Sequence, residues 1–259
     1  MKKIEQAFAN GKVLIPYVTA GDPDLAVTAE VVTAADKAGA GIIEVGMPFS
    51  DPQADGPVIQ AAGQRALRNG TNLKGILRMV SSLKGKVEAP LLLMGYYNPI
   101  MHYGKEKFSD DAADAGVAGL IIPDLPFDED EEFYKGLEER GMSGILMVAP
   151  NSRDDRLEEI GRHCSGFVYC VSLLGITGDS RGPAAGVSDY LTRVRKHVNV
   201  PLALGFGIDG PEKAAAAASS ADGVVVGSAI VKLVEKYEGT DRLIPEVSSF
   251  ISSLKRAIS

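Results

Sequence analysis

The sequence predicts an α/β fold, a closed (β/α)8 barrel, and three observations predict it. Short apolar runs recur along the chain, each separated from the next by a polar, Ala-rich stretch of helical periodicity. Most of these runs are nearly continuous in Val, Ile and Leu, as parallel strands covered on both faces must be. A weak internal repeat shows the same unit returning: "AADKAGAGIIEVGMP" (34–48) is echoed by "AADAGVAGLIIPDLP" (112–126) and by "SSADGVVVGSA" (219–229). Each is a helix end, a Gly where the chain must turn, a strand, and then a small residue or Pro. About eight such units in 259 residues suit one closed barrel. No linker, charge run or low-complexity segment divides residues 1–259, so one domain is expected. An open doubly wound sheet is the alternative.

In order, the chain opens on "IEQAFANG", amphipathic rather than the apolar run of a signal peptide, and a short N-terminal helix is expected there. The strand candidates follow: "VLIPYVT" (13–19), "GIIEVGM" (41–47), "PLLLMGY" (90–96), "GLIIPDL" (119–125), "GILMVAP" (144–150), "GFVYCVS" (166–172), "PLALGFG" (201–207) and "DGVVVGS" (222–228). None approaches transmembrane length. The net charge of −7 and the lack of any Lys/Arg cluster argue against nucleic acid or an anionic membrane as the main partner. Cys164 and Cys170 are too few for a disulfide framework, and His102, His163 and His197 are scattered without metal-ligand spacing. A cytoplasmic protein without a visible metal site is the expectation.

In such a barrel the chemistry sits at the C-terminal strand ends and in the loops after them. Along 41–47 side chains alternate, so Ile42, Glu44 and Gly46 face one way and Ile43, Val45 and Met47 the other. The second set is bulky and apolar and belongs under the helices. Glu44 therefore points into the barrel near its top, with room left beside it by Gly46. A buried unpaired carboxylate costs several kcal/mol or keeps its proton through a raised pKa. That is the property a general acid–base near neutrality requires. Asp51 and Asp55 follow on the loop that ends in "DGP", where Gly56 suits a helix N-cap and Pro57 its first turn. Either could be the second carboxylate of a pair with divided roles, and spacing does not choose between them.

"GFGIDG" (205–210) matches the dinucleotide pattern GxGxxG, but that fingerprint belongs to the first βα unit of an open sheet. The better reading pairs "GFGI" with "VVVGSAIV" (224–231) as a phosphate site, where glycines let backbone N–H groups approach the anion at a helix start. Ser228 adds a hydroxyl, and "TG" at 177–178 a third edge. The stretch "LLGITGDSRGPAAGVS" (173–188) is expected to be a mobile, glycine-rich lid.

Together, "LIPYVTAGDPD", "EVGMPFSDPQADGPVIQ", "GYYNPI", "GLIIPDLP", "LLGITG", "ALGFGI" and "VVVGSAIV" resemble, in order and spacing and over essentially the whole chain, the tryptophan synthase alpha subunit family. The resemblance implies a (β/α)8 barrel that cleaves indole-3-glycerol phosphate to indole and glyceraldehyde 3-phosphate. It also implies no cofactor in this chain, and a pyridoxal-phosphate-dependent beta subunit as partner. It places the catalytic carboxylates on Glu44 and Asp55. Tyr17 and Tyr169 match substrate contacts, and Thr177 matches a loop residue that closes onto the Asp. Gly178, Phe206, Gly207, Gly227 and Ser228 match the phosphate pocket, and Asp51 and Gln53 the partner surface. Gln53 stands where Leu is usual, and Leu173 where Arg or Val is common. A stand-alone lyase releasing free indole and a non-catalytic regulatory barrel subunit are the alternatives.

Overall fold

Eight parallel strands close on one another in chain order: β1 (Val13–Thr19), β2 (Ile43–Gly46), β3 (Leu91–Met94), β4 (Gly119–Ile121), β5 (Ser143–Val148), β6 (Val168–Val171), β7 (Leu202–Gly205) and β8 (Gly223–Val226). The closing pair sets Val13 beside Gly223 and Pro16 beside Val226. This computed structural model describes residues 3–171, 183–205 and 207–259. The open-sheet alternative falls, because β1 and β8 pair directly.

The described helices are α1 (Lys3–Ala9), α2 (Leu25–Lys37), α3 (Pro57–Arg68), α4 (Leu73–Ser82), α5 (Tyr97–Tyr103), α6 (Lys105–Ala115), α7 (Glu131–Glu139), α8 (Asp154–His163), α9 (Pro183–Val194), α10 (Pro211–Ala218), α11 (Ser228–Tyr237) and α12 (Leu243–Ile258). Their starts follow from local chemistry. Asp24, Asn72 and Asp130 each accept a hydrogen bond from a backbone N–H of the first turn of α2, α4 and α7. Pro57 opens α3 directly after Gly56, as "DGP" predicts. The expected lid is too long by six residues. Residues 183–188 are helical, because Pro183 presets φ for a first turn that needs no N–H from it. The remainder of that segment, with Leu173, lies outside the described residues. The fourth strand ends at Ile121 rather than at 125, since Pro123 cannot donate to a ladder.

Strand alternation divides the core into two layers. Ile43, Val45, Leu93, Leu120, Val168, Leu204 and Val224 pack outward beneath the helices. Ile15, Ile42, Leu92, Ile121, Ile145 and Val225 fill the interior. The predicted two-sidedness of β2 holds: Ile42 is inside, whereas Ile43, Val45 and Met47 belong to the outer layer. The N-terminal helix α1 closes the bottom of the barrel with Ile4, 1% exposed, and with Phe8, whose ring lies 5.7 Å from that of Phe167. At the other end Arg65 of α3 grips the buried Asp22 after β1 with two bonds, at 2.8 and 2.9 Å, and reaches Glu235 of α11 at 2.8 Å. This triad anchors the helix whose N-terminus carries Asp55 and Gly56.

Candidate active site

A cavity of about 880 Å3 opens at the C-terminal ends of the strands. Glu44, Asp55, Tyr17, Tyr169, Gly207, Gly227 and Ser228 all line it. Glu44, in β2, is 1% exposed, and its Oε2 finds no hydrogen-bond partner among the described residues. Burial first, and then the negative charge of Asp55, push its carboxyl up to about 8. Close to neutrality the group holds a proton that it can give and take back.

Glycines on neighbouring strands make room for two phenols. A Cβ on Gly46 would lie 2.0 Å from the Tyr17 hydroxyl, and one on Gly205 would lie 2.4 Å from the Tyr169 hydroxyl. The space left by Gly46 is thus occupied by Tyr17 of β1, which stands opposite Glu44 in the strand register. The Tyr17 hydroxyl is 3.4 Å from Thr19 Oγ1. Desolvation and the nearby carboxylates raise the pKa of both phenols, so they stay neutral.

Asp55 and Asp51, left open by spacing, are separated by the fold. Asp55 is half-buried on the cavity wall, and desolvation raises its pKa against the opposing pull of a hydrogen bond from the Tyr96 side chain. Asp51 is exposed, takes a hydrogen bond from Ser50, and does not line the cavity. Gln53 is exposed on the same loop. After β7, Gly207 lines the same cavity and adopts φ +72, a left-handed conformation that disfavours any side chain. Gly227 caps α11, and Ser228 is its first residue. The first N–H groups of a helix have no intrahelical acceptor and favour an anion there. Thr177, Gly178 and Phe206 lie outside the described residues.

The structure adds one cation to the wall and brings one tyrosine up behind it, and only the tyrosine carried no sequence signal. Lys232, one turn into α11, lines the cavity on the glycine side. Tyr96, at the end of "PLLLMGY", reaches the Asp55 loop from the β3–α5 connection, where its ordinary strand-end position carried no signal. Among the described residues no three His, Cys, Asp or Glu side chains gather as metal ligands, and no helix is long and apolar enough to cross a membrane.

A closed parallel barrel with a proton-holding carboxylate in its mouth, a second carboxylate near it and a glycine-lined helix start in the same cavity is the architecture of a barrel enzyme. The sequence profile described as tryptophan synthase alpha chain matches residues 4–259. Tryptophan synthase alpha chains of Petrotoga mobilis and Citrifermentans bemidjiense are 52% and 46% identical over 256 and 263 residues. These matches cover 98% and 100% of this chain and 99% and 98% of the relatives. Among solved structures, tryptophan synthase subunit alpha of Legionella pneumophila superposes with a TM-score of 0.91 at 35% identity, covering 100% of this chain and 98% of that one. A chain of the tryptophan synthase complex of Pyrococcus furiosus does so with a TM-score of 0.85 at 36% identity, covering 95% and 99%. This chain belongs to the tryptophan synthase alpha chain family.

Proposed function

We propose that this chain cleaves indole-3-glycerol phosphate to indole and glyceraldehyde 3-phosphate, as a carbon–carbon lyase of tryptophan biosynthesis, with Glu44 and Asp55 as its catalytic pair. The observation that carries the assignment is Glu44: a buried carboxyl, one oxygen unpartnered, in the cavity wall and near a second carboxylate. Breaking the bond between the indole C3 and the glycerol side chain needs an electron sink and removal of a hydroxyl proton. The indole ring serves as the sink once protonated at C3, where it becomes an iminium-like tautomer. Glu44 delivers that proton, then takes the proton of the adjacent glycerol hydroxyl as the bond breaks and the aldehyde forms. Asp55, anionic, holds the indole N–H and stabilises the positive charge that develops on the ring. None of the eight strands supplies a Lys for a Schiff base, and two carboxylates meet the proton requirements of this route.

The glycerol phosphate is assigned to the wall formed after β7 and β8, with Gly207, Gly227 and Ser228 there and Gly178 and Phe206 contributing by family resemblance. Tyr17 and Tyr169 frame the indole end, and Thr177 is the residue expected to close onto Asp55. No cofactor enters the steps assigned to this chain; pyridoxal phosphate belongs to the beta partner. The P. furiosus neighbour is part of a tryptophan synthase complex, which supports an alpha2–beta2 assembly docking on the face that bears Asp51 and Gln53. The test is indole release from indole-3-glycerol phosphate, measured with and without a cognate beta subunit. Slow turnover alone and clear stimulation by the partner are expected. Equal kcat in both conditions supports a stand-alone lyase, and no turnover in either supports a regulatory barrel.

A further inference from the structure

Asp55 sits on a largely exposed loop. Asp51, Gln53 and Ala54 are exposed, and the Gln60 side chain bonds only the Asp55 backbone carbonyl, at 2.8 Å. The carboxylate itself is reached from a different βα unit. Tyr96, at the N-cap of α5 and 4% exposed, accepts the Ala54 N–H on its hydroxyl at 2.9 Å, one residue before Asp55, and its side chain holds the Asp55 pKa down. A hydroxyl has one proton to donate and lone pairs to accept. With Ala54 on a lone pair, the hydroxyl proton remains free for the Asp55 carboxyl, the group whose pKa the Tyr96 side chain lowers. The Tyr96 ring is steadied in turn by Phe49 of the same loop, centroid to centroid 5.3 Å.

We propose that Tyr96 is a positioning residue for the cleavage reaction, acting through Asp55 by holding the backbone immediately before it on a phenol hydroxyl whose proton is left for the carboxylate. The proposal rests on the role assigned to Asp55 above. Its neighbour shows that adjacency in sequence does not suffice. The Tyr97 hydroxyl turns away to Asp130, the N-cap of α7, where Lys105 also binds at 2.6 Å. Among the described residues, the titratable groups that face Asp55 are Glu44 from β2, Tyr17 from β1, Tyr169 from β6 and Tyr96 from the β3–α5 connection. None of the four is a cation. Burial drives the Asp55 carboxyl toward its neutral form, and the bond from Tyr96 opposes that shift. An anionic Asp55 is what the developing indole cation requires.

The experiment compares kcat and KM across pH for the full chain, wild type, Tyr96→Phe, Tyr97→Phe and Asp55→Asn, with and without a cognate beta subunit. Tyr96→Phe keeps the ring against Phe49 and removes only the hydroxyl. It is expected to lose roughly 10- to 100-fold in kcat, the factor carried by one charge-assisted hydrogen bond, with KM little changed. The acidic limb of its kcat profile moves to higher pH, because Asp55 gains its proton more readily. Tyr97→Phe keeps the wild-type limb. A Tyr96→Phe enzyme with wild-type kcat, or with lower kcat and an unmoved acidic limb, overturns the proposal. Activity retained by Asp55→Asn overturns instead the role of Asp55 on which it stands. Should Tyr96→Phe fail to fold, 3-fluorotyrosine at position 96 replaces it. Its more acidic phenol donates more strongly, so the limb must move to lower pH, and an unmoved limb again overturns the proposal.

Discussion

At the bottom of the barrel Ile4, Phe8 and Phe167 fill the interior with apolar side chains, whereas at the top the corresponding interior positions carry Glu44, Tyr17 and Tyr169 around an 880 Å3 cavity. The bottom has unpartnered polar atoms too, the hydroxyls of Ser143 and Ser165. A neutral hydroxyl without a partner costs far less than an ionised carboxylate, however, and asks for no change of protonation. The bottom end contributes stability through burial and close packing. The top end gives some of it up: glycines replace packing residues at positions 46 and 205, and a carboxyl is held where water cannot solvate it. Stability and chemistry are thus separated along the barrel axis, and substitutions at the two ends should separate them experimentally.

The largest effect is expected at the top. Glu44→Gln should lower kcat for indole formation by more than the roughly 10²–10⁴-fold typical of one proton-transfer role, since the residue serves two proton transfers. Folding and binding of a glycerol-phosphate ligand should survive. A variant that keeps a tenth of wild-type kcat removes Glu44 from the mechanism. At the bottom, Phe167→Ala should cost about 3–5 kcal/mol of stability, with kcat close to wild type wherever the protein remains folded. Denaturant unfolding and turnover on the same preparation measure both. A bottom substitution that lowers kcat as much as Glu44→Gln would erase the contrast.

The two ends also differ in how they answer to pH. The Glu44 carboxyl titrates at about 8 in the folded protein against 4.5 as its ordinary value. Between those values the folded state holds a proton the unfolded chain has released, so stability is greatest below about 4.5 and falls as pH rises to about 8. The loss attributable to this group is on the order of a few kcal/mol. Thermal melts from pH 5 to 9 should therefore fall more steeply for wild type than for Glu44→Gln, while Phe167→Ala keeps the wild-type slope. Parallel curves for wild type and Glu44→Gln would mean that the folded protein does not hold this proton.

A smaller effect separates backbone from side chain on the phosphate wall. Gly207→Val should raise KM steeply, since φ +72 disfavours a side chain and a branched one would project at the phosphate wall. Lys232→Ala should raise it only mildly, because an exposed ammonium acts across solvent. Steady-state KM for the two variants decides. If Lys232→Ala is the worse, a cation rather than backbone donors holds the phosphate.

The amino-acid order determined the repeat and with it the barrel, because strand alternation and helix-start signals are local properties. It also singled out Glu44, because a charge inside an apolar run contradicts its surroundings whatever the fold. Gly56 and Pro57 were legible at the α3 start for the same local reason. What it left open depends on loops. Asp51 and Asp55 differ by four positions on one irregular segment, and the direction of α3, held by the Arg65 grip on Asp22, turns one toward the cavity and leaves the other in solvent. Tyr96 and Tyr97 are adjacent and chemically identical, yet one meets Asp55 and the other Asp130, since the chain changes from strand end to helix between them. Pairings between residues 41 positions apart, such as Asp55 and Tyr96, leave no periodic trace. They exist only once strands β2 and β3 lie side by side and bring their loops over the same mouth.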